Sequence, residues 1–482
     1  MYCRTLGRLQ YVQKRLFSQS ANLLAPRQKE GKKKAKQGFK SKSQVKAPIK
    51  KSGMTHLRFR DAVTSLKFEK GAKDISSLGT EELKYGPLKS LASSVVKYDE
   101  YARKVLQDLG SFKKYQKHEL LSEPASVVSS NTIGLAESFI SKLNSPSTNN
   151  RMYLLGEKGV GKSVLLTQIK ALSLSKYNND VVLIHLDYPE KIVEGSSDYI
   201  FNKSLQKYQQ PMFTKRWIIK LRSANEDVFK KMPLTRDVSF ISQKKEYNLK
   251  KNENTLYDFI LYNHDFGKFG PSTAFKFLIE EIEHHSKSFP VLVSVDNFNA
   301  LLTKTFTSYR HPDFRRIHFS EFEIGDFLLK LASGELGFEK GGVLVAESKD
   351  IGDSLTSSVG LGLTEYNPYF KKVDCDYDVA SALLSNGGMN HFNVENLDKK
   401  ESEELLYFLR AADVLKVRDY PCKEAYKSFQ EVLQEQTPEK TKPNANQEEH
   451  DLEEQYKKIV QNNYTMSSGN PGHLINATCL DY

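Results

Sequence analysis

One stretch limits what this chain can fold into. Arg151 to Leu166 reads RMYLLGEKGVGKSVLL. A short apolar run, Met152 to Leu155, predicts a strand. Gly156-Glu157-Lys158-Gly159-Val160-Gly161-Lys162-Ser163 follows, and then Val164, Leu165, Ile169 and Leu172 recur at helical spacing. The glycine segment has the form G-x-x-x-x-G-K-[ST], a phosphate-binding loop when it stands between a strand and a helix. Without side chains at Gly156, Gly159 and Gly161, successive backbone N–H groups are free to turn inward around an anion. The start of the following helix adds the positive end of its dipole. Lys162 is placed to reach the outer phosphates and the Ser163 hydroxyl to hold Mg²⁺. The candidate nucleotide-binding residues are therefore Gly156, Glu157, Lys158, Gly159, Val160, Gly161, Lys162, Ser163 and Val164.

Phe289 to Ala300, FPVLVSVDNFNA, is the second anchor. Its continuous apolar run fits a central parallel strand covered on both faces. The strand closes on Asp296, which joins the candidate site as the residue that holds Mg²⁺ through water, so Ser163 and Asp296 form the metal set. The next position is Asn297, where P-loop enzymes with fast turnover usually carry Glu. An amide cannot accept a proton from water, so hydrolysis is expected to be slow or absent unless another group supplies the base. Asp180 to Asp187, Gly341 to Ala346 and His391 to Val394 predict further strands. Ser348 stands where related ATPases place a sensor of the outer phosphate. Arg310, Arg315 and Arg316 read as a solvated or RNA-facing loop in preference to arginine fingers. Tyr98 to Tyr115, Ile133 to Leu143, Ala274 to Ile282 and Glu401 to Leu415 predict helices, whereas the stretch from Pro189 to about residue 273 shows no strand pattern. The fold expected is α/β: a P-loop NTPase of the AAA+/ASCE kind over residues 128–394, with a central parallel sheet, and a smaller, mostly helical C-terminal lid over 395–482. Within the lid, Gln434 to Gln455 is polar, carries Pro438, and predicts a mobile insertion.

Charge locates the rest. The net charge is +12. Through Gly53 there are fifteen Lys or Arg against one acid, Glu30, which is +14, so the other 429 residues carry −2. Residues 1–29 contain no acid, and Arg4, Arg8, Lys14 and Arg15 alternate with apolar residues, as in a mitochondrial presequence over 1–17. The lysine-rich arm over 18–53 has little to bury and suits a phosphate backbone. Residues 54–127 form an N-terminal extension. Cys3, Cys375, Cys422 and Cys479 form no C-x-x-C pair, which argues against a zinc site. His284 and His285 are adjacent and point apart on a helix. No apolar run is long enough to cross a bilayer.

Taken together, the loop, the Gln210-Pro211 and Trp217 segment, Val293 to Leu301 (VSVDNFNAL), the Gly341-Gly342 strand and Gly469-Asn470-Pro471 resemble the death-associated-protein family, the P-loop protein of the mitochondrial small ribosomal subunit. The likeness runs from about residue 130 to the C-terminus. It implies a structural ribosomal protein of the mitochondrial matrix that touches small-subunit rRNA and other ribosomal proteins, with contacts to the large subunit. It also implies a bound purine nucleotide, GTP or GDP more often than ATP, with Mg²⁺. In related lids an arginine often follows the Pro; here Gly472 and His473 stand instead. The rival reading is a matrix AAA+-type ATPase acting on nucleic acid or protein. A translational GTPase is disfavoured because no Asn-Lys-x-Asp occurs. If the arm contacts RNA, deleting residues 18–53 flattens the dependence of RNA affinity on salt in a filter-binding titration. An unchanged slope excludes the arm as the main contact.

Overall fold

The computed structural model describes residues 75–113, 116–242, 245–262, 270–415 and 445–480. The expected presequence and basic arm, and residues 434–444 of the expected insertion, lie outside these. Five strands build the central sheet: β1 (Arg151–Leu155), β2 (Val182–Leu186), β3 (Val291–Val295), β4 (Gly341–Ala346) and β5 (Asn390–Asn393). All neighbours are parallel, in the order β5-β1-β4-β3-β2. Every residue of β2, β3 and β4 is buried, so both faces of the sheet are covered. That accounts for the unbroken apolar runs in the sequence.

The two edges are treated differently. β5 is short and largely exposed. The outer edge of β2 is closed by side chains. The Leu183 N–H donates to Asn225 Oδ1 at 2.7 Å, and Asn225 Nδ2 donates to the Leu183 carbonyl at 2.9 Å. Trp217 Nε1 donates to the His185 carbonyl at 2.7 Å. Backbone groups that would otherwise template another strand are thereby satisfied.

In chain order the principal helices are α1 (Glu100–Leu109), α2 (Ser130–Ser138), α3 (Lys162–Lys176), α4 (Pro211–Ala224), α5 (Gly270–His285), α6 (Glu323–Ser333), α7 (Lys399–Ala411) and α8 (Ala445–Ser467). α1 is shorter than its apolar spacing predicts. Asp99 caps its start, and Gly110, at φ +76°, ends it in the left-handed conformation. The chain then turns through Ser111 to Lys113 toward the end of β3. The segment between β2 and α5, which showed no strand pattern, carries two hairpins, Ile200–Asn202 with Lys207–Gln209 and Val238–Ser242 with Lys245–Leu249. Their strands are three to five residues long. Exposed positions such as Ile200 and Phe201 break the in–out alternation that would signal them. Arg310 and Arg316 pair across a third hairpin, Phe306–Arg310 with Arg316–His318. From residue 445 onward the expected insertion coincides with α8, which runs through its acidic, proline-free part.

A second apolar cluster joins Leu405, Leu406, Phe408 and Leu409 of α7 to Val460 of α8, Leu474, and Ile75, Leu121 and Ala125 of the N-terminal extension. Buried Glu401 ties α7 to α2: its Oε1 accepts from the Ser130 N–H at 2.8 Å, and its Oε2 from the Asp398 N–H at 3.0 Å. The C-terminal helices thus rest on the N-terminal extension as much as on the sheet.

Arg151 opens β1 and is almost wholly buried. Its guanidinium donates to the carbonyls of Thr148, Ala332 and Asn386 at 2.8, 2.7 and 2.5 Å. It thereby pins the strand before the loop to the end of α6 and to the turn before β5. Arg151→Met is expected to lower stability in urea unfolding by about 2–3 kcal/mol, because it strands buried carbonyls. Arg151→Lys should recover little, since an ammonium lacks the planar fork.

Candidate nucleotide site at the carboxyl edge of the sheet

The glycine segment lies between β1 and α3, at the end of the sheet where its strands point. Gly159 and Gly161 have φ of +83° and +102°, a region that disfavours side chains. Lys162, the first residue of α3, folds over the loop: its Nζ donates to the carbonyls of Gly156 at 2.6 Å and Glu157 at 2.7 Å. Burial lowers its pKa, and the Glu347 charge partly opposes this. Ser163 and Val164 are half-buried beside it, whereas Glu157, Lys158 and Gly159 are exposed. The exposed Lys158 ammonium pairs with Asp350 at 2.5 Å.

Asp296 ends β3 as expected but is not alone. Lys113 Nζ lies 2.6 Å from its Oδ2, both side chains almost fully buried. Asp296 Oδ1 accepts from the Asn297 N–H at 3.1 Å. Lys113 also sits over the Tyr188 ring, 4.6 Å from its centroid. Burial alone would lower the Lys113 pKa; the adjacent Asp296 carboxylate outweighs it and raises the value. Behind the pair lies Lys170 of α3, donating to Ser111 Oγ at 2.6 Å, its pKa pulled down to about 7 by burial. Lys220 pairs with Asp187 at 2.7 Å.

Three further groups lie outside the motif. Glu190, just beyond β2, accepts from Asn297 Nδ2 at 2.6 Å through Oε1. Burial raises its pKa. Glu347, immediately after β4, accepts from the Gly156 N–H at 3.4 Å and lies 3.1 Å from Lys349 Nζ. It is Glu347, not Ser348, that reaches the loop. Ser348 is latched through its backbone, its N–H donating to Asn299 Oδ1 and its carbonyl accepting from Asn299 Nδ2. Lastly, the C-terminal turn docks on the loop. Asn470 Nδ2 donates to the Lys158 carbonyl at 2.9 Å, and the Gly472 N–H donates to the Gly159 carbonyl at 3.0 Å. A Cβ on Gly472 would come within 2.9 Å of Gly159 Cα. An arginine at 472 therefore has no room.

Glu347 follows a buried strand directly, a signal that was present in the sequence, whereas Glu190 stands four residues past one. Lys113 carried none, because a helix break three residues earlier delivers it. No hydrogen bond or ion pair joins Arg310, Arg315 or Arg316 to the loop among the described residues; Arg315 pairs with Asp313 instead. His285 is spent on the Pro233 carbonyl at 2.8 Å. No cluster of three metal-ligating side chains occurs among the described residues, and no helix there is long and apolar enough to cross a membrane.

The donor set fits a polyphosphate: a turn shaped by left-handed glycines, one ammonium over its mouth, and a hydroxyl at the helix start. For a divalent cation the candidate oxygen ligands are Ser163 and Asp296, the latter with Oδ2 on Lys113 and Oδ1 accepting from the Asn297 N–H.

Sheet, loop and helix together are compatible with a P-loop-like α/β protein. Residues 126–476 match the family described as mitochondrial ribosomal death-associated protein 3, and the chain belongs to that family. It is 26% identical over 273 residues to the small ribosomal subunit protein mS29 of Schizosaccharomyces pombe, covering 55% of this chain and 53% of that one. It is 22% identical over 348 residues to mS29 of Neurospora crassa, covering 69% of each. The chain thus spans about half the length of the first of these relatives. The family segment contains the loop, Glu190, Asp296, Glu347 and Asn470, but begins after Lys113.

Removing Lys113 leaves a buried, unpaired carboxylate. Lys113→Met should lower stability by about 3 kcal/mol in urea titration, and adding Asp296→Asn should restore most of it. Equal stability of parent and single variant would show that the pair contributes nothing.

Proposed function

We propose that this chain is a structural component of the mitochondrial small ribosomal subunit, in the matrix, and that it holds a purine nucleotide at Gly156 to Val164. In this reading the sheet is that of a P-loop NTPase of the AAA+/ASCE kind, with the C-terminal helices as a small lid. The observation that carries it is the glycine turn with Lys162 folded over it, standing inside the segment that matches the ribosomal family. Lys162 neutralises outer phosphate charge, and the loop amides hold the remainder. Ser163 and Asp296 would hold Mg²⁺, which when bound offsets phosphate charge. Asp296 meets it already neutralised by Lys113, so the site is built to retain a nucleotide. Small-subunit rRNA and neighbouring ribosomal proteins are the partners proposed, with the large subunit a further contact.

Nucleotide then acts as part of the fold. At a hundred times its dissociation constant it adds about 2.7 kcal/mol to stability. Lys162→Ala is expected to abolish the rise in melting temperature given by Mg²⁺ with GDP, GTP or ATP. It should also reduce co-sedimentation of the tagged chain with the small subunit in a mitochondrial lysate. A parent protein whose melting is indifferent to every purine nucleotide removes the nucleotide reading, and one that sediments apart from ribosomal particles removes the ribosomal one.

A further inference from the structure

Asn297 stands where a water-activating glutamate would be expected, yet a carboxylate is present next door. β2 and β3 run in register, Leu186 beside Val295, so the turn Asp187-Tyr188-Pro189 brings Glu190 alongside Asn297. Asn297 Nδ2 donates to Glu190 Oε1 at 2.6 Å. Glu190 Oε2 is buried and accepts no hydrogen bond among the described residues. A structural strut would spend both oxygens, as Glu401 does on two backbone N–H groups. Glu190 gives one to Asn297 and, apart from its own backbone N–H, meets no further donor among the described residues, with the Asp296 charge close enough to act on it. The side chain is oriented by an amide that cannot take its proton, which leaves Oε2 as the proton acceptor of the pair.

We propose that Glu190 is the water-activating carboxylate of this site, with Asn297 as its positioning residue, and that the chain slowly hydrolyses a bound purine nucleoside triphosphate to the diphosphate. The inference rests on the nucleotide reading above. Glu190 Oε2 accepts a proton from water as the water oxygen bonds to the terminal phosphorus. The bond from that phosphorus to the bridging oxygen breaks, and its electron pair leaves with the diphosphate. The products are nucleoside diphosphate and inorganic phosphate, and Glu190 returns its proton to solvent. Catalytic carboxylate and metal-set aspartate, which usually follow one another on one strand, are here divided between β2 and β3.

The test uses the purified full-length chain and Glu190→Gln, which keeps the shape and a carbonyl oxygen for Asn297. Three quantities are measured with Mg²⁺ and γ-labelled GTP or ATP: the dissociation constant, phosphate release in a single turnover, and the nucleotide extracted from protein as purified. The expected result is a dissociation constant within about threefold of the parent, phosphate release slowed by about 100-fold, and triphosphate extracted from the variant where the parent yields diphosphate. The exchange Glu190→Asn with Asn297→Glu, which returns the carboxylate to β3, is expected to recover hydrolysis. Should Glu190→Gln misfold, Glu190→Asp, which keeps the charge but draws the oxygens back, takes its place: a dissociation constant within about threefold of the parent and slowed phosphate release are expected, and undiminished release overturns the inference. Undiminished hydrolysis in Glu190→Gln, or a parent that binds triphosphate and keeps it intact for hours, overturns the inference and leaves the nucleotide reading standing. A parent that binds no nucleotide overturns both.

Discussion

A carboxylate buried at the end of a parallel sheet is costly unless a cation lies against it. Asp296 meets that condition with Lys113, 2.6 Å away and from outside the sheet. Around this pair the charges are arranged one against another. Asp187 takes Lys220, Lys170 leans on Ser111, and His185, whose pKa is driven down by burial first and by the nearby lysines next, bonds through Nδ1 to Ser294. The turn Ser111 to Lys113 supplies both the ammonium on Asp296 and the hydroxyl that receives Lys170. The N-terminal extension is therefore part of the site's electrostatics, and the sheet could not keep Asp296 dry without it.

The same logic of closure holds on the other side of the loop. Asn470 and Gly472 bond the carbonyls of Lys158 and Gly159, so the C-terminus braces the turn that Lys162 braces from within. Close approach fixes the residue choice: Gly472 lies against Gly159 where a side chain would collide. What looks in sequence like the loss of a phosphate-sensing arginine is, in three dimensions, the condition for docking. Exchange of a nucleotide held there would require the brace to open, and the Glu401 and Asn131 ties between α7, α2 and the chain after β5 oppose that motion.

The sheet was legible because its signals are local. Four of its strands are five or six residues long and mostly apolar, and the loop is a fixed spacing of glycine, lysine and serine. Asp296 was legible because it ends such a run. The partners that give these residues their character were not. Lys113 lies 183 positions from Asp296 in the chain and carries no pattern that singles it out; Asn470 belongs to the Gly469-Asn470-Pro471 likeness, but its partner Lys158 lies 312 positions away. The short hairpins were missed for another reason: their exposed apolar positions, Ile200, Phe201 and Ile241, break the in–out alternation and so imitate loop composition. α8 was masked by its polarity, since a helix whose residues over 453–467 are mostly exposed or half-buried shows little apolar periodicity.

The boundary of the family segment gives these points a common meaning. Residues 126–476 hold the loop, the sheet, the brace and the Glu190–Asn297 pair, whereas Lys113 precedes them. The shared segment contains Glu347, Asp350, Asn470 and Gly472, which bond or pair with the loop, whereas Lys113, which neutralises Asp296, precedes it. An ammonium fixed on a covalent chain differs from a hydrated cation in one respect that matters: it cannot diffuse away. With Lys113 in place, Asp296 is paired before anything reaches the loop, so the charge at this edge of the sheet does not wait on a ligand to be balanced.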